Sequence, residues 1–243
     1  MMPDKRDDLS DRARRYRQLL FEHLIDRPPA EVEFFVNARR FRILAATLGP
    51  HLAGARILNV ACGPFALEFY VAPKAAALDS LDIDPALAPL HAELRGEGLI
   101  ADSRFVVADA MAFAGEEAYD VIVINDLFYA KHVDFHAVLD RYLPLLAPGG
   151  HIYFDILDRR AGPIWAFFNK DAAYRRYDLA GVRADLSGRG LTVEAEVPSM
   201  GIKGGLDGAA RRLMWTLAGI TNNMIFMARR TPATSAAENI RAK

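Results

Sequence analysis

From Ala55 onward the chain alternates short apolar runs, bounded by turn residues, with stretches of helical periodicity, and this alternation restricts its fold more than any other feature. Such a texture is how successive βαβ units of a parallel sheet read. Strands are expected at RILNVA (56–61), AALDSLDI (76–83), RFVVAD (104–109), YDVIVIND (119–126) and HIYFDIL (151–157). Unbroken apolar runs such as VIVI suit strands covered by helices on both faces. Asp84 and Pro85 have the chemistry of an N-cap and a first helical residue, and PGG (148–150) is expected to break the chain between a helix and the strand at 151. Two further strands are expected at LTVEAEV (191–197) and NNMIFMA (222–228), separated by a loop MGIKGGLDG (200–208) and a helix through Arg211 to Leu217. The fold class is therefore α/β, with a doubly wound, mostly parallel seven-stranded sheet.

Ahead of that unit, Leu9, Tyr16, Leu19, Leu20 and Leu24 have helical spacing within 7–25, closed by Pro28-Pro29. A second helix is expected from Ala30 to Leu48. The division that results is a helical N-terminal extension (1–50), one α/β domain (51–230) and a polar, disordered tail (231–243). At 243 residues and 52% hydrophobic, the chain is long enough for a substantial core. Its net charge of −1 offers no basic footprint for nucleic acid, and Arg12, Arg14, Arg15 and Arg17 are expected on the solvated face of a helix. No apolar stretch approaches the roughly 20 residues that cross a bilayer, so no membrane insertion is expected. The single cysteine, Cys62, supports neither an internal disulfide nor a multi-cysteine zinc site, which favours a reducing, cytoplasmic setting. His23, His51, His91, His136 and His151 show no ligand spacing with carboxylates, so no metal is expected.

In a doubly wound sheet a ligand sits outside the carboxyl ends of the strands, where the strand order reverses. After the first strand comes NVACGPF (59–65), whose small residues allow close approach of backbone to a ligand; the same residues also suit a plain strand-to-helix turn with Gly63 at its awkward angle. At the end of the second strand, LDIDP places Asp82 and Asp84 on one face. Asp84 is explained by helix capping, whereas a carboxylate such as Asp82 at a buried strand end needs partners and suits a ribose.

Over about 55–157 this combination resembles the class I S-adenosylmethionine-dependent methyltransferases, whose fold is Rossmann-like. ILNVACGPF is similar to the family's first motif, which implies cofactor contacts from Asn59, Ala61, Cys62 and Gly63. The resemblance assigns Asp82 and Ile83 to the ribose end, Asp109 and Ala110 of VVADAMAF to the adenine, and Asn125 and Asp126 of YDVIVINDLFY to the tip of the fourth strand. Where the family usually carries an acid this chain has Asn59, and where it carries the first and last glycines of the turn it has Ala61 and Phe65. The Phe65 ring is expected near the turn, where it either weakens cofactor binding or sends the loop along another path. Cys62-Gly63-Pro64 followed by Glu68 resembles some small-molecule and fatty-acid carboxyl methyltransferases. The activity implied is methyl transfer from S-adenosylmethionine to a small organic acceptor, with oxygen (hydroxyl or carboxyl) favoured and with His132 and Tyr129 as candidate catalytic residues. A catalytically silent domain acting as a partner or regulator is the alternative that the altered turn suggests. An NAD-dependent oxidoreductase is less well supported, because the turn lacks the three-glycine pyrophosphate site. The aromatic, Arg-bearing segment 162–178 suits either an apolar acceptor with an anionic group or an amphipathic helix on the sheet.

Overall fold

The computed structural model describes residues 5–35, 38–70, 75–100, 102–115, 118–163, 174–198 and 205–231. Strands β1 (Arg56–Val60), β2 (Ala77–Asp82), β3 (Arg104–Val107), β4 (Tyr119–Ile124), β5 (Leu146–Leu157), β6 (Leu191–Pro198) and β7 (Asn223–Arg230) form one sheet in the order β3-β2-β1-β4-β5-β7-β6. The five strands from β3 to β5 are parallel, and β7 lies antiparallel between β5 and β6. Strand order reverses between β1 and β4, so a crevice opens at their carboxyl ends.

The helices are α1 (Lys5–His23), α2 (Pro29–Phe35), α3 (Ala38–Leu52), α4 (Ala66–Tyr70), α5 (Leu87–Gly96), α6 (Phe135–Tyr142), α7 (Leu179–Gly188) and α8 (Gly205–Ala218). On one face of the sheet, α6 and α7 bury Val138, Leu139, Val182 and Leu186 against Leu58, Ile122, Phe154 and Phe226. On the other, α3 lays Leu44, Leu48 and Leu52, a stripe at i, i+4 and i+8, over Ile57, Val121 and Tyr153. A third cluster joins α1 to α5 through Tyr16, Leu19, Leu20, Leu90 and Leu94. Burying each such leucine contributes about 1.5–3 kcal/mol, against at most about 1 kcal/mol for each exposed ion pair that accompanies it. The arginines of α1 make such pairs: Arg14 with Asp11, Arg15 with Glu97, Arg17 with Glu33.

Several sequence expectations need correction. In place of one helix over 30–48 there are two, α2 and α3, and α3 runs on through Pro50 because Leu52 completes its buried stripe. The PGG run does not break the chain: it lies inside β5, where the pairing with β4 jumps from Tyr119↔Leu146 to Val121↔His151. Gly149 takes φ 80°, and a Cβ on Gly150 would stand 2.9 Å from the Asp120 carbonyl, so these glycines let a bulged strand pass close to its neighbour. Asp84 closes the turn before α5 by accepting from the Ala86 N–H at 2.9 Å, and the helix itself starts at Leu87. Helix α8 begins at Gly205, inside the expected loop. Residues 199–204, 164–173 and the tail from 232 lie outside the described residues.

Candidate active site

A cleft of about 360 Å³ opens at the carboxyl ends of β1 and β4. Its lining includes Asn59, Ala61, Cys62 and Gly63 from the end of β1 and the following turn, Asp82 from β2, and Asn125, Asp126 and His132 beyond β4. These eight are sequence candidates that the fold brings together. Ile83 stands 67% exposed at the tip of β2. Asp109, Ala110 and Tyr129 lie outside the lining. Asp109 is engaged locally, accepting from the Met111 N–H, while the Ala110 carbonyl accepts from the Tyr142 hydroxyl.

The turn after β1 keeps a left-handed backbone at alternate residues: Ala61 (φ 53°), Gly63 (φ 55°) and Phe65 (φ 64°). Two of those positions carry a Cβ, which costs about 1–2 kcal/mol each in this region. The Phe65 ring stays beside the turn, as the sequence suggested, but does not line the cleft. It is 0% exposed and packs beneath the turn, 4.9 Å from the His91 ring and 5.2 Å from that of Phe105. Behind the turn, the buried Tyr16 hydroxyl donates to the Pro64 carbonyl at 2.7 Å, so α1 holds the loop from outside the sheet. Above it, the Phe35 ring lies 3.8 Å from where a Gly63 Cβ would stand.

Asp82 ties the turn to the second strand. One carboxylate oxygen accepts from the Gly63 N–H at 2.9 Å and the other from the Asp84 N–H at 3.0 Å. Each oxygen keeps a lone pair for a ligand hydroxyl.

Under the floor of the cleft, Asn59, Glu68 and Ser80 form a buried cluster. Glu68 Oε1 accepts from Asn59 Nδ2 at 2.9 Å and from Ser80 Oγ at 2.5 Å. Asn59 Oδ1 and Glu68 Oε2 are buried without a partner among the described residues. Desolvation pushes the Glu68 carboxyl above the ordinary carboxylate range, against the opposing pull of Ser80 and Asn59. A group raised in the folded state adds its full stability below its unfolded pKa and loses it as pH rises through the folded one. Glu68→Gln keeps the acceptor, adds a donor and cannot ionise. It is expected to gain stability relative to the parent as pH rises above the ordinary carboxylate range, as read by urea unfolding on the acid and the alkaline side of it. Parallel pH profiles for parent and variant would remove the buried proton from this account.

At the tip of β4 the backbone turns sharply through Asp126, at φ 58°. The device that holds it is Asp155 of β5, which is 4% exposed. Its carboxylate accepts from the Asp126 N–H at 2.8 Å, from Asn223 Nδ2 at 3.0 Å and from the Tyr129 hydroxyl. Tyr129 is thus part of the support beneath the tip, while His132 stands exposed at the cleft. Arg175 donates to the Val133 carbonyl at 2.5 Å, and Arg176 to Asn222 Oδ1 at 3.0 Å, so both arginines brace backbone and loop. Arg27 also lines the cleft and donates to Asp84 at 2.7 Å.

Sequence reasoning passed over Asp155 and Arg27, and noted Glu68 only as part of a motif. A lone acid within HIYFDIL was the available signal for Asp155, since a buried carboxylate demands donors. Arg27 gave none, being distant in sequence from every other cleft residue.

The family model described as a methyltransferase domain matches residues 32–196 of this chain. The ubiquinone biosynthesis O-methyltransferase of Cronobacter sakazakii is 34% identical over 130 residues, covering 52% of this chain and 51% of that protein. The corresponding protein of Stutzerimonas stutzeri is 31% identical over 112 residues, covering 44% and 47%. The chain thus spans about half the length of the curated relatives it matches. Among solved structures, the N-methyltransferase NodS of Bradyrhizobium japonicum WM9, in complex with S-adenosyl-l-homocysteine, superposes with a TM-score of 0.58 at 18% identity, covering 88% of this chain and 98% of NodS; at that identity the likeness speaks for the fold. With the family model spanning more than half its length, and with the sheet order and strand-tip cleft described above, the chain belongs to the class I, Rossmann-like methyltransferase domain family.

Proposed function

We propose that this protein transfers the methyl group of S-adenosylmethionine to an oxygen atom, hydroxyl or carboxyl, of a small organic acceptor. The observation that carries the reading is the left-handed turn at Ala61, Gly63 and Phe65 at the mouth of the strand-tip cleft, the backbone region that glycine favours, although only one of the three is a glycine. The residues fit the group. Asn59 Oδ1 is a buried acceptor with no partner among the described residues, suited to the ammonium of an amino-acid moiety, and Asp82 retains capacity for ribose hydroxyls. Oxygen is favoured because curated relatives carry the name O-methyltransferase. The same turn weighs against a catalytically silent domain, since Ala61 and Phe65 sustain the strained backbone rather than abandon it.

When bound, S-adenosylmethionine supplies an electrophilic methyl carbon on a sulfonium, which departs as a neutral thioether. The chain's own work is to align the acceptor oxygen with that carbon and to exclude water. His132, exposed at the cleft, accepts the acceptor's proton where that acceptor is a hydroxyl. Tyr129 acts indirectly, by fixing Asp155 and with it the β4 tip. A net charge of −1 favours a small acceptor over nucleic acid. No described helix is long and apolar enough to cross a membrane. A reducing, cytoplasmic setting, suggested by the lone buried thiol of Cys62, belongs to the same proposal.

The test is calorimetry with S-adenosylmethionine, S-adenosylhomocysteine and NAD, followed by a hydroxyl and carboxyl acceptor screen on parent and His132→Ala protein. Micromolar binding of the first two but not of NAD is expected. On a hydroxyl acceptor, His132→Ala should lower kcat by about 100-fold with cofactor affinity kept. Absence of S-adenosylhomocysteine binding would overturn the reading.

A further inference from the structure

On the α3 side of the sheet, outside the lining of the cleft, two histidines and a glutamate distant in sequence come together. His51 ends α3, His151 lies on β5 and Glu194 on β6. One ligand atom from each lies within 4.8 Å of the others. We propose that His51, His151 and Glu194 bind a divalent cation of the zinc class and that the bound ion clamps α3 to the sheet.

Strand geometry aims these side chains at one point. On β5, Ile152 and Phe154 face the α6–α7 side and Tyr153 faces α3, so His151 faces α3 as well. Its ring lies 4.0 Å from that of His51. On a regular β6, Val193 and Ala195 would share a face; instead Val193 packs on the α6–α7 side and Ala195 on the α3 side. The cause is a shift in the β6–β7 pairing between those two residues, a bulge at Glu194 that re-aims its carboxylate toward His151, 3.0 Å away.

The chemistry of the set suits zinc. Two imidazoles and a carboxylate are ligands it accepts, at about 2.0–2.2 Å, and three protein ligands leave a fourth position for water. Adjacent tetrahedral ligands then lie about 3.4 Å apart, so small rotations of three partly exposed side chains close the site. The carboxyl end of α3 adds a favourable dipole for a cation. Arg229 also faces this spot, with Nη1 4.0 Å from Glu194 Oε1, but its Nε is engaged by the Gly149 carbonyl at 3.2 Å, and Glu194 Oε2 is the oxygen that meets His151. An ordinary ring pair with an adjoining ion pair is the competing description, and it predicts no metal dependence.

The experiment uses untagged, chelator-treated full-length protein. Zn²⁺ calorimetry is expected to give one equivalent with a micromolar or tighter dissociation constant, weakened at least about tenfold in His51→Ala and in His151→Ala. Zn²⁺ should raise the Tm of the parent and leave that of both variants unchanged. Should a variant fail to fold, Co²⁺ titrated into the parent decides through the visible absorption of a four-coordinate site with nitrogen ligands. Failure of the parent to bind one equivalent, binding undiminished by both substitutions, or a Co²⁺ spectrum of the aqueous ion would overturn the proposal.

Discussion

Phe65→Ala is expected to destabilise the protein by about 3–5 kcal/mol, the usual cost of deleting a fully buried aromatic ring. The ring fills the space between the turn after β1, α5 and β3, against His91 and Phe105. Phe65→Gly should fare little better: it removes the same ring and recovers only the left-handed strain of about 1–2 kcal/mol. Ala61→Gly is the informative contrast. There the side chain is one methyl group at φ 53°, so glycine should be neutral or stabilising by up to about 1 kcal/mol. Guanidinium unfolding of the three variants checks the set. A loss below about 1 kcal/mol for Phe65→Ala would mean that the ring is not packed as described.

Asp82→Asn should weaken S-adenosylhomocysteine binding about tenfold to a hundredfold on the proposed reading, since hydrogen bonds to a charged acceptor contribute about 1.5–3 kcal/mol. The structure adds a cost, because both carboxylate oxygens already hold backbone N–H groups, of Gly63 and Asp84. An asparagine retains one acceptor oxygen, so a loss of about 1–2 kcal/mol in folding is expected alongside the loss of affinity. Calorimetry and urea unfolding on the same preparation separate the two effects. Unchanged affinity in a destabilised protein would make Asp82 a brace of the turn and nothing more.

The strands were legible because a strand buried on both faces writes itself as a local apolar run, and VIVI needs no partner to be recognised. The cleft was legible for the same reason: its residues sit at the ends of those runs, where the sheet must present them. What escaped was set by contacts between distant segments. The antiparallel placement of β7, the passage of β5 through PGG and the bulge that turns Glu194 all depend on a neighbouring strand's register. The burial of the Phe65 ring was not legible because a residue in a turn gives no sign of which way its side chain points, and here the ring enters the core. Asp155, with donors from Asp126, Tyr129 and Asn223, belongs to the same class.

The single glycine of the turn also changes how the turn responds to heat. A loop with three glycines surrenders much backbone freedom when it orders, and that penalty grows with temperature. Here Ala61 and Phe65 already restrict the disordered chain, so ordering forfeits less entropy and the cost sits instead in steric energy, which warming does not enlarge. This chain exchanges an entropic expense for an enthalpic one at the turn after β1, and the ordering of that turn should depend less on temperature than that of a three-glycine loop.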